Sequence, residues 1–324
     1  MEGIVQGFLD NSLAPSTRLT YRQGTTQYQR FCTKFNVSPP YPLSESTLCS
    51  FAAYLATINL CPQTKKTYLS AIKHTHIMLG FPDPSTSINA STLKLVQRGI
   101  ARHHSQLEAP ARTRLPITPD ILRQVKSLWQ PHQYEFNYIM LWASLCTAFF
   151  GFCRLGEITA PSSSSFNPKE HLLFEDLAID NPGNIQLITL RIKKSKTDQF
   201  RKGADIALAR TGQDICPVAA LLAYLAIRKG HAGPLFHFED GKYLTQASLT
   251  KHMREALTRL GIDEDLYAGH SLRIGAATTA AASGVQDATI KALGRWRSNA
   301  YQRYIRLPKE ELAATASKLA TPKT

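Results

Sequence analysis

Between Tyr138 and Cys153 the chain is apolar almost without interruption, and the next residue is Arg154. The run is too short to span a bilayer comfortably, so it reads as a helix buried in the core of a folded domain. An arginine set directly against such a core needs a partner, because an unpaired buried guanidinium is costly. Glu157, three residues on, is the near candidate, whether the pair is a structural one or serves a site. A hydrophobic content of 43% with 19% charged residues is that of a folded chain, not a disordered one. At 324 residues the chain suits two domains.

The segment before Arg114 reads as helical. After a loose leader at residues 1–13, Ser16 or Thr17 is placed to cap a helix through Tyr21, Tyr28 and Phe31 to about Asn36. Val37 to Pro42 is a rigid connector. Ser44 opens a helix through Leu48, Phe51, Ala52 and Leu55, and Pro62 another with Tyr68, Leu69, Ile72 and Ile77 inward. Gly80 to Pro84 breaks it, and residues 91–104 form a last, basic helix. Residues 14–107 are expected to be a small all-α bundle and 108–117 a linker.

From residue 118 to 324 the expectation is a second domain. Thr118-Pro119-Asp120 starts a helix, and a longer one covers about 134–152. Leu187–Ile192 and Ala204–Leu208 alternate as two strands joined by a lysine-rich turn. Pro217 to Arg228 is helical, Leu235 to Tyr243 a short hairpin around Asp240-Gly241, and helices dominate from Ser248. The fold class is mainly α with a small antiparallel β-sheet, an α+β arrangement.

The net charge is +14, shared evenly between residues 1–114 and 115–324. Such a balance suits a polyanion such as double-stranded DNA, although a basic protein without one is the blander alternative. Cys32, Cys49, Cys61, Cys146, Cys153 and Cys216 show no metal-ligand spacing and read as free thiols. The first residues lack the basic start and apolar run of a secretory signal, so a secreted or membrane location is not expected.

The last third gathers groups that suit one chemistry. His270-Ser271-Leu272-Arg273 sets two phosphate-binding side chains at helical spacing. Gly294-Arg295-Trp296 and Tyr304-Ile305-Arg306 follow. A phenol can attack a phosphodiester and keep the bond energy in a covalent link, but it is a weak nucleophile when neutral. Cations must stabilise charge on the phosphorane-like transition state, and arginine's planar fork suits non-bridging oxygens. Tyr301, three residues before Tyr304, is the competing tyrosine.

These residues, with Phe152-Cys153-Arg154-Leu155-Gly156-Glu157 and Lys193-Lys194-Ser195-Lys196-Thr197-Asp198, resemble the active-site set of the tyrosine recombinase (phage integrase-like) family. The resemblance covers most of the chain: Ser16 to Tyr21 and Thr64 to Tyr68 are similar to the family's SAM-like core-binding domain. It implies Tyr304 as nucleophile, Arg154, His270 and Arg273 as phosphate ligands, and Lys196 as the acid for the leaving 5′-oxygen, with Lys193, Lys194 and Lys202 as competitors. Glu157 would orient Arg154. The family's His or Trp nine residues before the nucleophile is Arg295 here, and Trp296 stands eight before. Either Arg295 or the Trp296 indole N–H would donate to the phosphate, and the reading favours Trp296.

The resemblance further implies a clamp around duplex DNA, a 3′-phosphotyrosine intermediate, no cofactor or metal, and a homodimer or homotetramer on DNA. Ser-Lys-Thr-Asp and Gly-Arg-Trp look most like recombinases of DIRS-like, Ngaro and crypton mobile elements of eukaryotes, which would work in the nucleus; otherwise the cytoplasm or nucleoid is expected. A helix from Pro308, with Leu312, Ala316 and Leu319 on one stripe, would dock on a neighbouring protomer or on its own domain. A type IB topoisomerase, a domesticated non-catalytic DNA-binding protein, and a metal-dependent nuclease using Glu175-Asp176, Glu239-Asp240 or Asp263-Glu264-Asp265 are the alternatives.

Overall fold

The computed structural model describes residues 1–58, 60–84, 91–107, 113–196, 198, 201–228, 230, 232–306, 313, 316 and 317. The chain divides into two compact units, Met1–Ala111 and Arg112–Thr324. Of the terminal stripe, Leu312 and Leu319 lie outside the described residues, as do residues 108–112 of the expected linker.

The first unit consists of helices. Its opening residues are not a loose leader: Glu2–Asp10 form a helix, α1. α2 (Pro15–Lys34) begins with Pro15 at its first position, where the missing N–H had no intrahelical partner to lose, so neither Ser16 nor Thr17 caps it. α3 (Glu45–Thr57) is capped as expected by Ser44, whose hydroxyl accepts from the Thr47 N–H. α4 is Pro62–Met78 and α5 is Ser91–Leu107. Tyr28, Phe31, Leu48, Phe51, Leu55, Leu69 and Ile72 make one core. Ile77, expected to face inward, is 45% exposed, because the buried face at this end of α4 is taken by His76, one turn after Ile72.

In the second unit the apolar run becomes α7 (Phe136–Phe150), preceded by α6 (Pro119–Trp129). Met140, Leu141, Ala143, Leu145, Cys146, Ala148 and Phe149 are all buried, so nearly the whole circumference of α7 is core. Among the described residues no helix is long and apolar enough to cross a membrane. α7 packs on α9 (Pro217–Ile227) and on α11 (His270–Ala282). α10 (Gln246–Arg259) lies between those two in sequence, and α12 is Asp287–Leu293.

The small sheet is antiparallel, in the order β1 (Leu177–Ile179), β2 (Leu187–Ile192), β3 (Ala204–Ala209). Leu187 pairs with Ala209 and Ile192 with Ala204. That register puts Ile188, Leu190, Ile192, Ile206 and Leu208 on the buried face. The three-residue β1 escaped the sequence because it is too short to show alternation. At Asp240-Gly241 the expected hairpin is reduced to a turn, with Gly241 at φ +82° and one bridge between His237 and Tyr243. The six cysteines are free, four of them buried.

Candidate active site

α7 ends in a tight turn at Gly151-Phe152. Phe152 adopts φ +49°, a left-handed conformation that costs a non-glycine residue about 1–3 kcal/mol and is found where its surroundings over-determine it. The turn delivers Arg154 to the N-cap of a short helix, α8 (Leu155–Ile158). Glu157 then reaches back: its Oε2 accepts from the Arg154 N–H at 2.9 Å, and its Oε1 from the Arg154 guanidinium at 2.9 Å. The Glu157 side chain is only 3% exposed. Arg154 keeps its other terminal nitrogen without a protein partner among the described residues.

Arg295 meets the same carboxylate from the far side. Its Nη2 lies 2.8 Å from Glu157 Oε2, and its Nη1 donates to the carbonyls of Gly151 at 3.0 Å and Leu293 at 3.2 Å. Arg295 itself sits at φ +55°. Its guanidinium is therefore occupied by protein acceptors, in place of the outward-facing donor that the sequence allowed. Trp296 is 7% exposed, and its indole N–H is buried without a partner among the described residues. Gly294 makes room for that indole, since a Cβ at residue 294 would collide with the ring.

His270 and Arg273 open α11 as the spacing predicts, but at different depths. Arg273 is fully buried, its terminal nitrogens donating to the carbonyls of Phe152 and Gly294, while its Nε has no partner among the described residues. Its guanidinium carbon stands 4.2 Å from the centroid of the Trp296 ring and 5.6 Å from that of Tyr304, within cation–π range. Burial and then the neighbouring charge of Arg154 hold its pKa below the ordinary arginine value. His270 is exposed at the rim, and its ring lies 6.3 Å from that of Tyr304. Desolvation, followed by the charges of Arg273, Arg154 and Lys196, lowers its pKa.

The four lysines of the hairpin turn separate by their partners. Lys193 is 2.7 Å from Asp176 Oδ2, and Lys194 is 2.5 Å from Glu170. Lys202 acts electrostatically on Asp198. Lys196 is exposed, has no ion-pair partner among the described residues, and is the lysine whose charge reaches His270. Glu170 also takes Arg201 at 2.6 Å, so one carboxylate ties both arms of the turn. The sequence offered no sign of that tie, because Glu170 lies in an irregular loop.

Tyr301 and Tyr304 both lie near Trp296 and differ in burial and in partners. Asn299–Arg303 is a single 3₁₀ turn with Tyr304 as its C-cap. Tyr301 is buried, and its hydroxyl donates to Asp287 at 2.7 Å, which raises its pKa. Tyr304 is half-buried, its ring 5.2 Å from that of Trp296, and its hydroxyl has no partner among the described residues. Asp287, which ties Tyr301 to α12, was not anticipated. Among the described residues no group of acidic, histidine or cysteine side chains could hold a metal ion.

The structure thus gathers Arg154, His270, Arg273, Trp296 and Tyr304, brings Lys196 within electrostatic reach, and puts Glu157 and Arg295 behind them. No family model matches the chain. It is 26% identical over 297 residues to the integrase/recombinase xerD homolog of Selenomonas ruminantium, covering 90% of this chain and 81% of that protein. Its fold is similar to that of the XerH site-specific recombinase bound to palindromic difH substrate in a post-cleavage complex. The TM-score there is 0.62 at 17% identity, over 93% of this chain and 79% of that one. A Tn1549 transposon integrase in complex with circular intermediate DNA gives a TM-score of 0.56 at 12% identity, over 94% of each chain. In sequence the chain is thus similar to an integrase/recombinase, and in fold to site-specific recombinases and integrases.

Proposed function

We propose that this protein is a site-specific DNA recombinase that cuts and rejoins strands through a 3′-phosphotyrosine, integrating or excising a mobile element. The observation that carries the reading is the half-buried Tyr304 ring beside His270 and Arg273, its hydroxyl without a partner among the described residues. Tyr304 gives up its phenolic proton to solvent as its Oη attacks the scissile phosphorus, and the bond to the 5′-oxygen breaks. Lys196, the hairpin lysine whose charge reaches His270, gives that oxygen its proton. Arg154 and His270 take the non-bridging oxygens with the nitrogens they leave free. Arg273 joins them by exchanging a backbone carbonyl for phosphate, and the orphaned Trp296 N–H is the further donor. Arg295 and Glu157 hold Arg154 in place.

The phosphotyrosine conserves the bond energy, so the 5′-hydroxyl of a partner strand reverses the step without nucleotide hydrolysis. Two such exchanges on a tetramer would pass through a Holliday junction. Ser195-Lys196-Thr197-Asp198 and Gly294-Arg295-Trp296 support a narrower placement with the DIRS-like, Ngaro and crypton recombinases, and with it work in the nucleus. The test is a suicide duplex carrying the element's own termini, in EDTA, with wild type, Tyr304→Phe and Tyr301→Phe. A covalent adduct lost only in Tyr304→Phe supports the reading. Loss only in Tyr301→Phe moves the nucleophile, and absence of any adduct overturns it. Adducts without strand transfer between two duplexes would point to a topoisomerase instead.

A further inference from the structure

We infer that Thr278 is a positioning residue for the nucleophile: its hydroxyl fastens the backbone around Tyr304 to the helix that carries His270 and Arg273. The inference rests on the phosphotyrosine reading above. Thr278 lies on α11, five residues after Arg273, and is 7% exposed. Its Oγ1 donates to the Tyr304 carbonyl at 3.1 Å and accepts from the Arg306 N–H at 3.0 Å. A threonine inside a helix commonly returns its hydroxyl to the carbonyl four residues back. Thr250 and Thr258 do so here, bonding the carbonyls of Gln246 and Arg254. Thr278 instead spends both hydrogen-bonding capacities on the segment that holds Tyr304.

Apart from the packing of Tyr304 and Ile305 on the core, few hydrogen bonds among the described residues hold that segment. Tyr304 caps a single 3₁₀ turn, a form whose hydrogen bonds are poorly aligned, and its own N–H is tied only to the Tyr301 carbonyl at 2.8 Å. Because the phenolic oxygen has no partner among the described residues, its position is set by ring packing and by the backbone. The backbone on either side of Ile305 is set by Thr278. His270, Arg273 and Thr278 belong to one helix, so the phosphate ligands and the nucleophile are referred to the same rigid element. In-line attack tolerates little error, and a displacement of about 1 Å costs on the order of 10²-fold in rate.

The experiment compares Thr278→Val, which removes both bonds with little change of shape, with Thr278→Ser, which keeps the hydroxyl. Single-turnover adduct formation on the suicide duplex, equilibrium duplex affinity and thermal midpoint are measured for both and for wild type. The expected result is adduct formation slowed about 10²-fold in Thr278→Val at unchanged duplex affinity, with Thr278→Ser close to wild type. Wild-type rates in Thr278→Val, or equal slowing in both variants, overturn the inference while leaving the phosphotyrosine reading intact. No adduct from wild type overturns both. Should Thr278→Val fail to fold, hydrogen exchange in wild type decides: a protected Arg306 amide supports the bond, and exchange at the rate of a free amide overturns it.

Discussion

Glu157 holds two guanidinium groups with one buried carboxylate, and the consequences are those of any shared buried charge. Removing it leaves Arg154 and Arg295 facing each other without compensation. Breaking a buried pair in this way costs about 3–5 kcal/mol, so Glu157→Ala should lower the unfolding free energy by that order in a denaturant titration. His270 offers a second measurement. Its pKa is lowered in the folded protein, so the folded state binds its proton less readily than the unfolded chain does. This group's contribution to stability is therefore intact above the ordinary histidine range and is lost as pH falls through it. Lys196→Met removes one of the three cations that act on the ring, and the His270 resonance should titrate at higher pH as a result. An unchanged titration would mean that Lys196 stands away from the site.

At the scale of elements, the turn from Gly294 to Tyr304 and the β2–β3 hairpin each carry one requirement. A Cβ on residue 294 would drive the Trp296 indole away from Arg273. Overpacking of this kind typically costs about 1–3 kcal/mol, and Gly294→Ala should show it as a lowered thermal midpoint with a changed tryptophan fluorescence spectrum. The hairpin is different, because its ties are half-exposed. Glu170→Gln releases Lys194 and Arg201 yet should change stability by less than about 1 kcal/mol, as surface ion pairs do. Its expected effect is a slower adduct formation, read in single turnover, through a hairpin that no longer presents Lys196. Neither requirement was written plainly in the chain: Gly294 was legible as part of a motif, but its reason, an indole folded over its α-carbon, is a contact. Glu170 carried no pattern at all.

For the whole molecule, the charge of +14 spread over both units predicts strongly salt-dependent binding. If six to ten phosphates are neutralised, affinity for duplex DNA should fall roughly 10³–10⁵-fold between 50 and 200 mM salt. A flat salt response in a fluorescence-anisotropy titration would count against DNA as the partner. Much at this scale was legible beforehand. The periodicities of Leu48 to Leu55 and of Leu187 to Ile192 specify helix and strand locally, and Ser44 and Thr118 mark helix starts by the capping chemistry of their own side chains. His270 and Arg273 were recognisable by their helical spacing, and Tyr304 by the family resemblance of its segment. What only the tertiary structure decided is which groups remain free. Arg295 against Trp296, Lys196 against Lys193 and Lys194, and Tyr304 against Tyr301 are separated by partners distant in sequence: Glu157, Asp176, Glu170 and Asp287. Sequence alone determines which donors and acceptors a segment offers and how they are spaced along it. Which of them are consumed by the protein, and which are left for a phosphate, depends on contacts that exist only once the chain has folded.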